Sequence, residues 1–243
     1  MKIDILAIGV HPDDVELSCS GTLLSHLAQG KTVGLLDLTR GELGTRGTAE
    51  IRQEEATAAA RLMGASFRVN LDMADGFFQY SPENIRKIIQ VIRTHQPDIV
   101  LANAIDDRHP DHGRAAKLIA DACFYAGLVK IETLDESGQP QARWRPKAVY
   151  HYIQDHSLPP DFVVDITPYM ERKLELVRAF RSQFYVPDAT EYASELNSPI
   201  SGKDFFEFLT AKARTYGREA GFEFAEGFTA ARVPGVESLF DLR

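Results

Sequence analysis

Three short runs of the 243-residue chain carry side chains that could do chemistry together: His11-Pro12-Asp13-Asp14, Thr39-Arg40-Gly41-Glu42 and Asp106-Asp107-Arg108-His109-Pro110-Asp111-His112. Each directly follows an apolar stretch of β character, at residues 3–10, 32–39 and 98–104. In an open parallel sheet ligands bind beyond the carboxyl ends of the strands, so imidazoles and up to six carboxylates from distant segments are predicted to meet at one rim. Mixed His and Asp donors without thiolates suit a divalent metal such as zinc, and three protein ligands with one open position would make the site catalytic. Taken alone, His-Pro-Asp-Asp after a strand is ordinary turn and cap chemistry. Two histidine-proline-aspartate clusters at equivalent strand ends favour the metal. The glycine fingerprints of dinucleotide and P-loop phosphate sites are missing, and Gly41, Gly44 and Gly47 are spaced like a flexible loop.

The elements that must hold these runs follow from hydrophobic periodicity. Short apolar runs at 3–10, 32–39, 67–72 and 98–104 alternate with amphipathic stretches at 16–29, 49–64, 81–98 and 113–128, the pattern of a parallel sheet with crossover helices. The third helix has the plainest signals: Ser81 as cap, Pro82 in the first turn, and Ile85, Ile88, Ile89 and Ile92 as its buried stripe. The fold class predicted is α/β, a Rossmann-like, doubly wound, mainly parallel sheet. After a polar excursion at 128–146, strands at 148–153 and 161–167, helices at 168–182 and 202–219 and a strand-like segment at 221–232 complete the chain. The absence of a long linker predicts a single domain over 1–243, with a core at 1–127 and a C-terminal extension of it at 128–243.

Composition excludes broad alternatives. With 44% hydrophobic and 26% charged residues the chain is an ordinary globular protein, and its net charge of -8 lacks the cationic footprint of a nucleic-acid binder. No apolar run approaches the roughly 20 residues that span a bilayer. Two cysteines, Cys19 and Cys123, make no disulfide framework. A cytoplasmic protein without membrane or nucleic-acid partners is expected. The stripe Phe205, Phe206, Phe208 and Leu209 reads as core or as an oligomer contact. His151 and His156 read as a partly exposed strand and turn.

The motifs HPDDVEL (11–17), TRGELGTRGTAEIRQEEA (39–56), DRHPDH (107–112) and FRSQF (180–184) together resemble the LmbE-like or PIG-L-type zinc N-deacetylases, over nearly the whole chain. The TRGELGTRG stretch is similar to the branch that deacetylates N-acetylglucosaminyl malate in bacillithiol biosynthesis. The resemblance implies the LmbE-like fold and one zinc per chain, or another first-row divalent ion, held by His11, Asp14 and His112. It implies Asp13 as general base, His109 as oxyanion stabiliser with Asp111 keeping that imidazole protonated, and Arg52 and Arg108 as contacts to the substrate's carboxylates. It further implies a small amino-sugar substrate and a homo-oligomer, trimer or hexamer. The competing readings are a deacetylase or amidase for another N-acetyl amino-sugar or thiol conjugate, and a noncatalytic sugar or nucleotide binder. Without the resemblance, Arg52 reads as a helix-surface ion pair with Glu50 or Glu55.

Overall fold

The computed structural model describes residues 1–187, 191–192 and 194–242. In chain order it contains β1 (Ile5–Gly9), α1 (Asp14–Ser18), α2 (Ser20–Ala28), β2 (Val33–Thr39), α3 (Ala49–Met63), β3 (Phe67–Met73), α4 (Pro82–His95), β4 (Ile99–Ala102), α5 (Pro110–Ala126), β5 (Ala148–Tyr152), β6 (Phe162–Asp165), α6 (Met170–Arg178), α7 (Lys203–Ala220) and β7 (Ala225–Ala230). The seven strands form one sheet in the order β3-β2-β1-β4-β5-β7-β6. The first five are parallel neighbours, and β7 runs antiparallel to both β5 and β6.

Strands β1 and β2 are buried along their whole length, as expected of continuous apolar runs covered on both faces. Alternation divides them: Leu6, Ile8, Leu36 and Leu38 pack with the isoleucine stripe of α4 and with α5, while Ile5, Ala7, Val33 and Leu35 face Val15, Leu23 and Leu24 of α1 and α2. A third apolar cluster joins Ala56 and Ala59 of α3 to Met170 and Val177 of α6 and to Phe206 and Ala213 of α7, through Phe180 and Phe184. The residues after 127 thus extend the same sheet and cover its rim.

Two differences from the sequence expectation bear on the site. The helix expected over 16–29 is two helices, broken at Cys19, whose φ is -141°. The helix expected from residue 113 begins earlier, with Pro110 in the first turn and His109 as its cap, so Asp111 and His112 are helical. The strand order reverses between β1 and β4, and such a switch point is where open α/β sheets bind ligands. His11 leaves one side of it and the His109–His112 turn leaves the other.

Candidate active site

Asp14, at the start of α1, is the centre of the site floor. Its Oδ2 accepts from the backbone N–H of His11 (2.9 Å) and from Asn103 Nδ2 (2.9 Å), and its Oδ1 from Gln154 Nε2 (3.0 Å). Both imidazoles approach it, His112 Nε2 at 3.2 Å from Oδ1 and His11 Nδ1 at 3.8 Å from Oδ2. Each imidazole is turned by a carboxylate behind it: His112 Nδ1 meets Asp107 at 2.5 Å, and His11 Nε2 meets Asp75 at 3.0 Å. Such outer carboxylates fix the free nitrogen of a metal-binding histidine. Burial would lower both imidazoles, but Asp111, Asp75 and Asp14 lift His11 to about 10, and Asp14 and Asp107 lift His112 to about 9. Burial pushes the Asp14 carboxyl up, and the two histidines outweigh it and hold it well below the usual range. Buried carboxylates around two inward nitrogens call for positive charge between them, and this donor set fits a divalent metal on His11, Asp14 and His112. Among the described residues, the triplets whose donor atoms all come within 4.8 Å of one another are His11-His109-His112 and His11-Asp75-Asp111, whereas His11 and His112 are linked through their separate approaches to Asp14. The second uses the nitrogen of His11 that faces away from Asp14, as an outer layer would.

Asp13 stands beside this floor with a backbone φ of 147°, a conformation rare outside glycine that strains the turn and aims its carboxylate at the rim. Arg52 of α3 is its partner. Its guanidinium donates to Asp13 Oδ2 (2.8 Å), the Pro12 carbonyl (3.1 Å) and the Gly41 carbonyl (3.1 Å), and it is buried. Of the Asp13 oxygens only Oδ2 is so engaged, and the residue lines the cavity. Burial, partly offset by Arg52, raises the Asp13 carboxyl to about 7. The TRG loop is shaped for this contact: Gly41 has a φ of 65°, and a Cβ there would collide with the Arg52 guanidinium. FRSQF clasps the same region, Ser182 donating twice to Glu55 (2.6 and 2.7 Å) and Gln183 Nε2 to the Arg46 carbonyl (2.6 Å).

His109 lies across the floor, its ring centroid 4.7 Å from that of His11 and 5.1 Å from that of His112. Its Nδ1 accepts the backbone N–H of Asp111 at 3.3 Å, which assigns the ring proton to Nε2. Burial, and then the charges of His11 and His112, lower its pKa. The expected pairing of the Asp111 carboxylate with this ring is not what the turn builds. Because α5 starts at Pro110, that carboxylate points to the Gly76 N–H (2.9 Å), to Arg114, and toward His11 Nε2 (3.6 Å). Arg108 stands at the mouth, half exposed and paired with Asp155.

A cavity of about 310 Å³ opens over this floor, within the range of small-molecule sites. It reaches Asp13, Arg52, Arg108, His109 and the proposed metal ligands, and its far wall is Ile200, Phe205, Phe208 and Leu209. The phenylalanine stripe is therefore divided, Phe206 going to the core and Phe205 and Phe208 to the cavity. Asp75, Asn103 and Gln154 have no assignment in the sequence, although each follows a strand at the same rim. Asp107 is among the counted carboxylates but without a role there. His151 is buried with Nδ1 on the Asn103 carbonyl (2.8 Å), and the exposed His156 meets Asp106.

A family profile described as "PIG-L: GlcNAc-PI de-N-acetylase" matches residues 6–123. A diacetylchitobiose deacetylase of Thermococcus kodakarensis is 31% identical over 242 residues, covering 96% of this chain and 84% of the relative. Among solved structures, a conserved protein of Thermus thermophilus superposes with a TM-score of 0.84 at 34% identity, with 98% of each chain covered. An N,N'-diacetylchitobiose deacetylase of Pyrococcus horikoshii follows at 0.76 and 27%, covering 93% of this chain and 82% of the other. The chain belongs to the PIG-L deacetylase family, hydrolases of a linear amide bond. The bacillithiol branch is matched more distantly: a "Probable N-acetyl-alpha-D-glucosaminyl L-malate deacetylase 2" of Bacillus anthracis is 25% identical over 196 residues, covering 74% of this chain and 81% of the relative. Among the described residues no helix is long and apolar enough to cross a membrane.

Proposed function

We propose that the chain removes the acetyl group from an N-acetylglucosamine conjugate, with zinc on His11, Asp14 and His112 and with Asp13 as general base. The observation that carries this reading is Asp13: a strained, buried carboxylate raised to about 7, beside the ligand cluster but outside it, with one oxygen held by Arg52. A bound divalent ion would polarise the acetyl carbonyl and acidify the attacking water. Asp13 takes the proton of that water through the oxygen Arg52 leaves free. Asp13, protonated by that transfer and lining the cavity, then delivers the proton to the departing amine. His109 donates from Nε2 to the oxygen on which negative charge develops, as a neutral imidazole with Nδ1 capped by the Asp111 N–H. The Asp111 carboxylate reaches toward His11 and the Gly76 N–H, and its charge only partly offsets the burial that lowers the His109 pKa.

The 31% identity over nearly the whole chain to a diacetylchitobiose deacetylase, against 25% to the malate enzyme, moves the substrate assignment from N-acetylglucosaminyl malate to the wider class of N-acetylglucosaminyl conjugates. The enzyme is read as cytoplasmic and homo-oligomeric, with a small amino-sugar as its partner. Incubating the zinc-loaded protein with N,N'-diacetylchitobiose, N-acetylglucosamine and N-acetylglucosaminyl malate should release acetate and free amine in equal amounts. Chelation should abolish the release and zinc restore it. No acetate from any of the three would overturn the reading.

A further inference from the structure

The cavity wall contributed by α7 is Phe205, Phe208, Leu209, Ala213, Tyr216, whose hydroxyl donates to the Leu158 carbonyl, and one charged residue. Lys212, one helical turn beyond Phe208, lines the same cavity as Asp13 and His112. Its Nζ is shielded from solvent and has no hydrogen-bond partner among the described residues. Four lysines and arginines line the cavity, and the other three each face a carboxylate: Arg52 meets Asp13, Arg108 meets Asp155, and Lys173 meets Glu226 at 2.6 Å. The carboxylates whose charge reaches Lys212 are Asp107 and Asp155. Both are engaged, Asp107 by His112 Nδ1 and the His156 N–H, Asp155 by Arg108.

The Lys212 ammonium lies 5.7 Å from the centroid of the Phe208 ring, but a buried ammonium with neither a hydrogen-bond acceptor nor a countercharge of its own is unfavourable, because an aromatic face replaces only part of the water it has lost. Burial lowers its pKa to about 8, which leaves it mainly charged at neutral pH. A cation placed against that penalty in a binding cavity is relieved by a ligand that brings a countercharge. The arginines that the sequence resemblance offers for substrate carboxylates are occupied, one by the general base and one at the mouth.

We infer that Lys212 is a specificity-determining residue that binds an acidic group, carboxylate or phosphate, on the half of the N-acetylglucosaminyl conjugate remote from the acetamide. This rests on the deacetylase reading and names its substrate class. The ammonium is a compact point charge on a flexible four-carbon stem, so it can meet a carboxylate or a phosphate.

The test compares two acidic substrates, N-acetylglucosaminyl malate and N-acetylglucosamine 1-phosphate, with neutral N,N'-diacetylchitobiose. Zinc-loaded wild type, Lys212→Met and Lys212→Arg are assayed for kcat and KM by acetate release. Wild type should favour at least one acidic substrate in kcat/KM, and the one favoured tells carboxylate from phosphate. Lys212→Met should shrink the acidic-to-neutral ratio by roughly tenfold or more, through KM, and Lys212→Arg should restore most of it. The melting temperature of Lys212→Met should equal or exceed wild type, since the substitution removes an unpaired buried charge. An unchanged ratio, or a parallel loss on all substrates with a lower melting temperature, would overturn the inference while leaving the deacetylase reading intact. If no substrate is turned over, the deacetylase reading fails on its own. Calorimetric binding of the same sugars then decides the inference, which falls if Lys212→Met binds the acidic sugars as tightly as wild type.

Discussion

Replacing Arg52 by methionine should move the acid limb of the rate profile more than the affinity for substrate. The guanidinium lies 2.8 Å from Asp13 Oδ2 with both side chains buried, and it stabilises the carboxylate form of the base. At an effective dielectric of about 20 the bare attraction at that distance is roughly 6 kcal/mol. Desolvation of the two ions offsets much of it, and a charge-assisted hydrogen bond contributes about 1.5–3 kcal/mol net. At about 1.36 kcal/mol per pKa unit, its removal raises the Asp13 pKa by about one to two units. The base works deprotonated, so activity rises with pH through its pKa and the limb moves to higher pH. At pH 7, where the wild-type base is half deprotonated, the variant should lose about 5- to 50-fold in kcat/KM and recover most of it above about pH 9. The assay is acetate release by zinc-loaded protein, with kcat/KM measured from about pH 5 to 10. A limb that stays in place while KM rises would refute the reasoning and return Arg52 to the substrate carboxylates.

Gly41→Ala should share the shift of the acid limb and cost about 1–3 kcal/mol of stability, because the residue adopts a φ of 65° and its new methyl collides with Arg52. A wild-type pH profile and urea midpoint would contradict this. Asp107→Asn removes the carboxylate behind His112 and should weaken zinc binding about 10- to 100-fold in competition with a chelator, against an unchanged affinity if the contact is incidental. Glu226→Ala leaves Lys173 buried without a countercharge, holding only the Leu17 carbonyl, and removes the acceptor for the Gly21 and Thr22 N–H groups that start α2. It should lower stability by about 3–5 kcal/mol in urea denaturation, and a loss below about 1 kcal/mol would show the pair to be dispensable.

The residues of the candidate site were legible because each lies in the loop or helix start that follows a strand. His11, Asp13 and Asp14 follow β1, and His109, Asp111 and His112 follow β4, so the βαβ pattern alone brings them to the switch point. The parallel part of the sheet was equally plain, since Ile5 to Gly9 and Val33 to Thr39 are the apolar runs a covered strand requires. What lay beyond reach was the layer behind them. Asp75 is one of 35 acidic residues and stands in a turn whose only local signal is Gly76. Asn103 and Gln154 are neutral amides that gain meaning only by converging on Asp14. The direction of the Asp111 side chain depended on a single turn of helix: with Pro110 in the first turn of α5, its backbone N–H rather than its carboxylate faces His109. Arg52 looked like a surface ion pair because α3 is rich in Glu, and only the approach of Gly41 shows that it turns inward. Lys212 is about a hundred residues from the metal loop, and no pattern along α7 separates the face that meets the cavity from the face that meets the core.

The central claim is that Asp13 moves the proton while His11, Asp14 and His112 hold the metal. Its most direct test is metal content and acetate release measured on the same preparations of wild type, Asp13→Asn and His11→Ala. The account predicts that Asp13→Asn keeps one zinc per chain and loses about 10²- to 10⁴-fold in kcat, whereas His11→Ala loses both metal and activity. Full activity in Asp13→Asn, or its loss only together with the zinc, would contradict it.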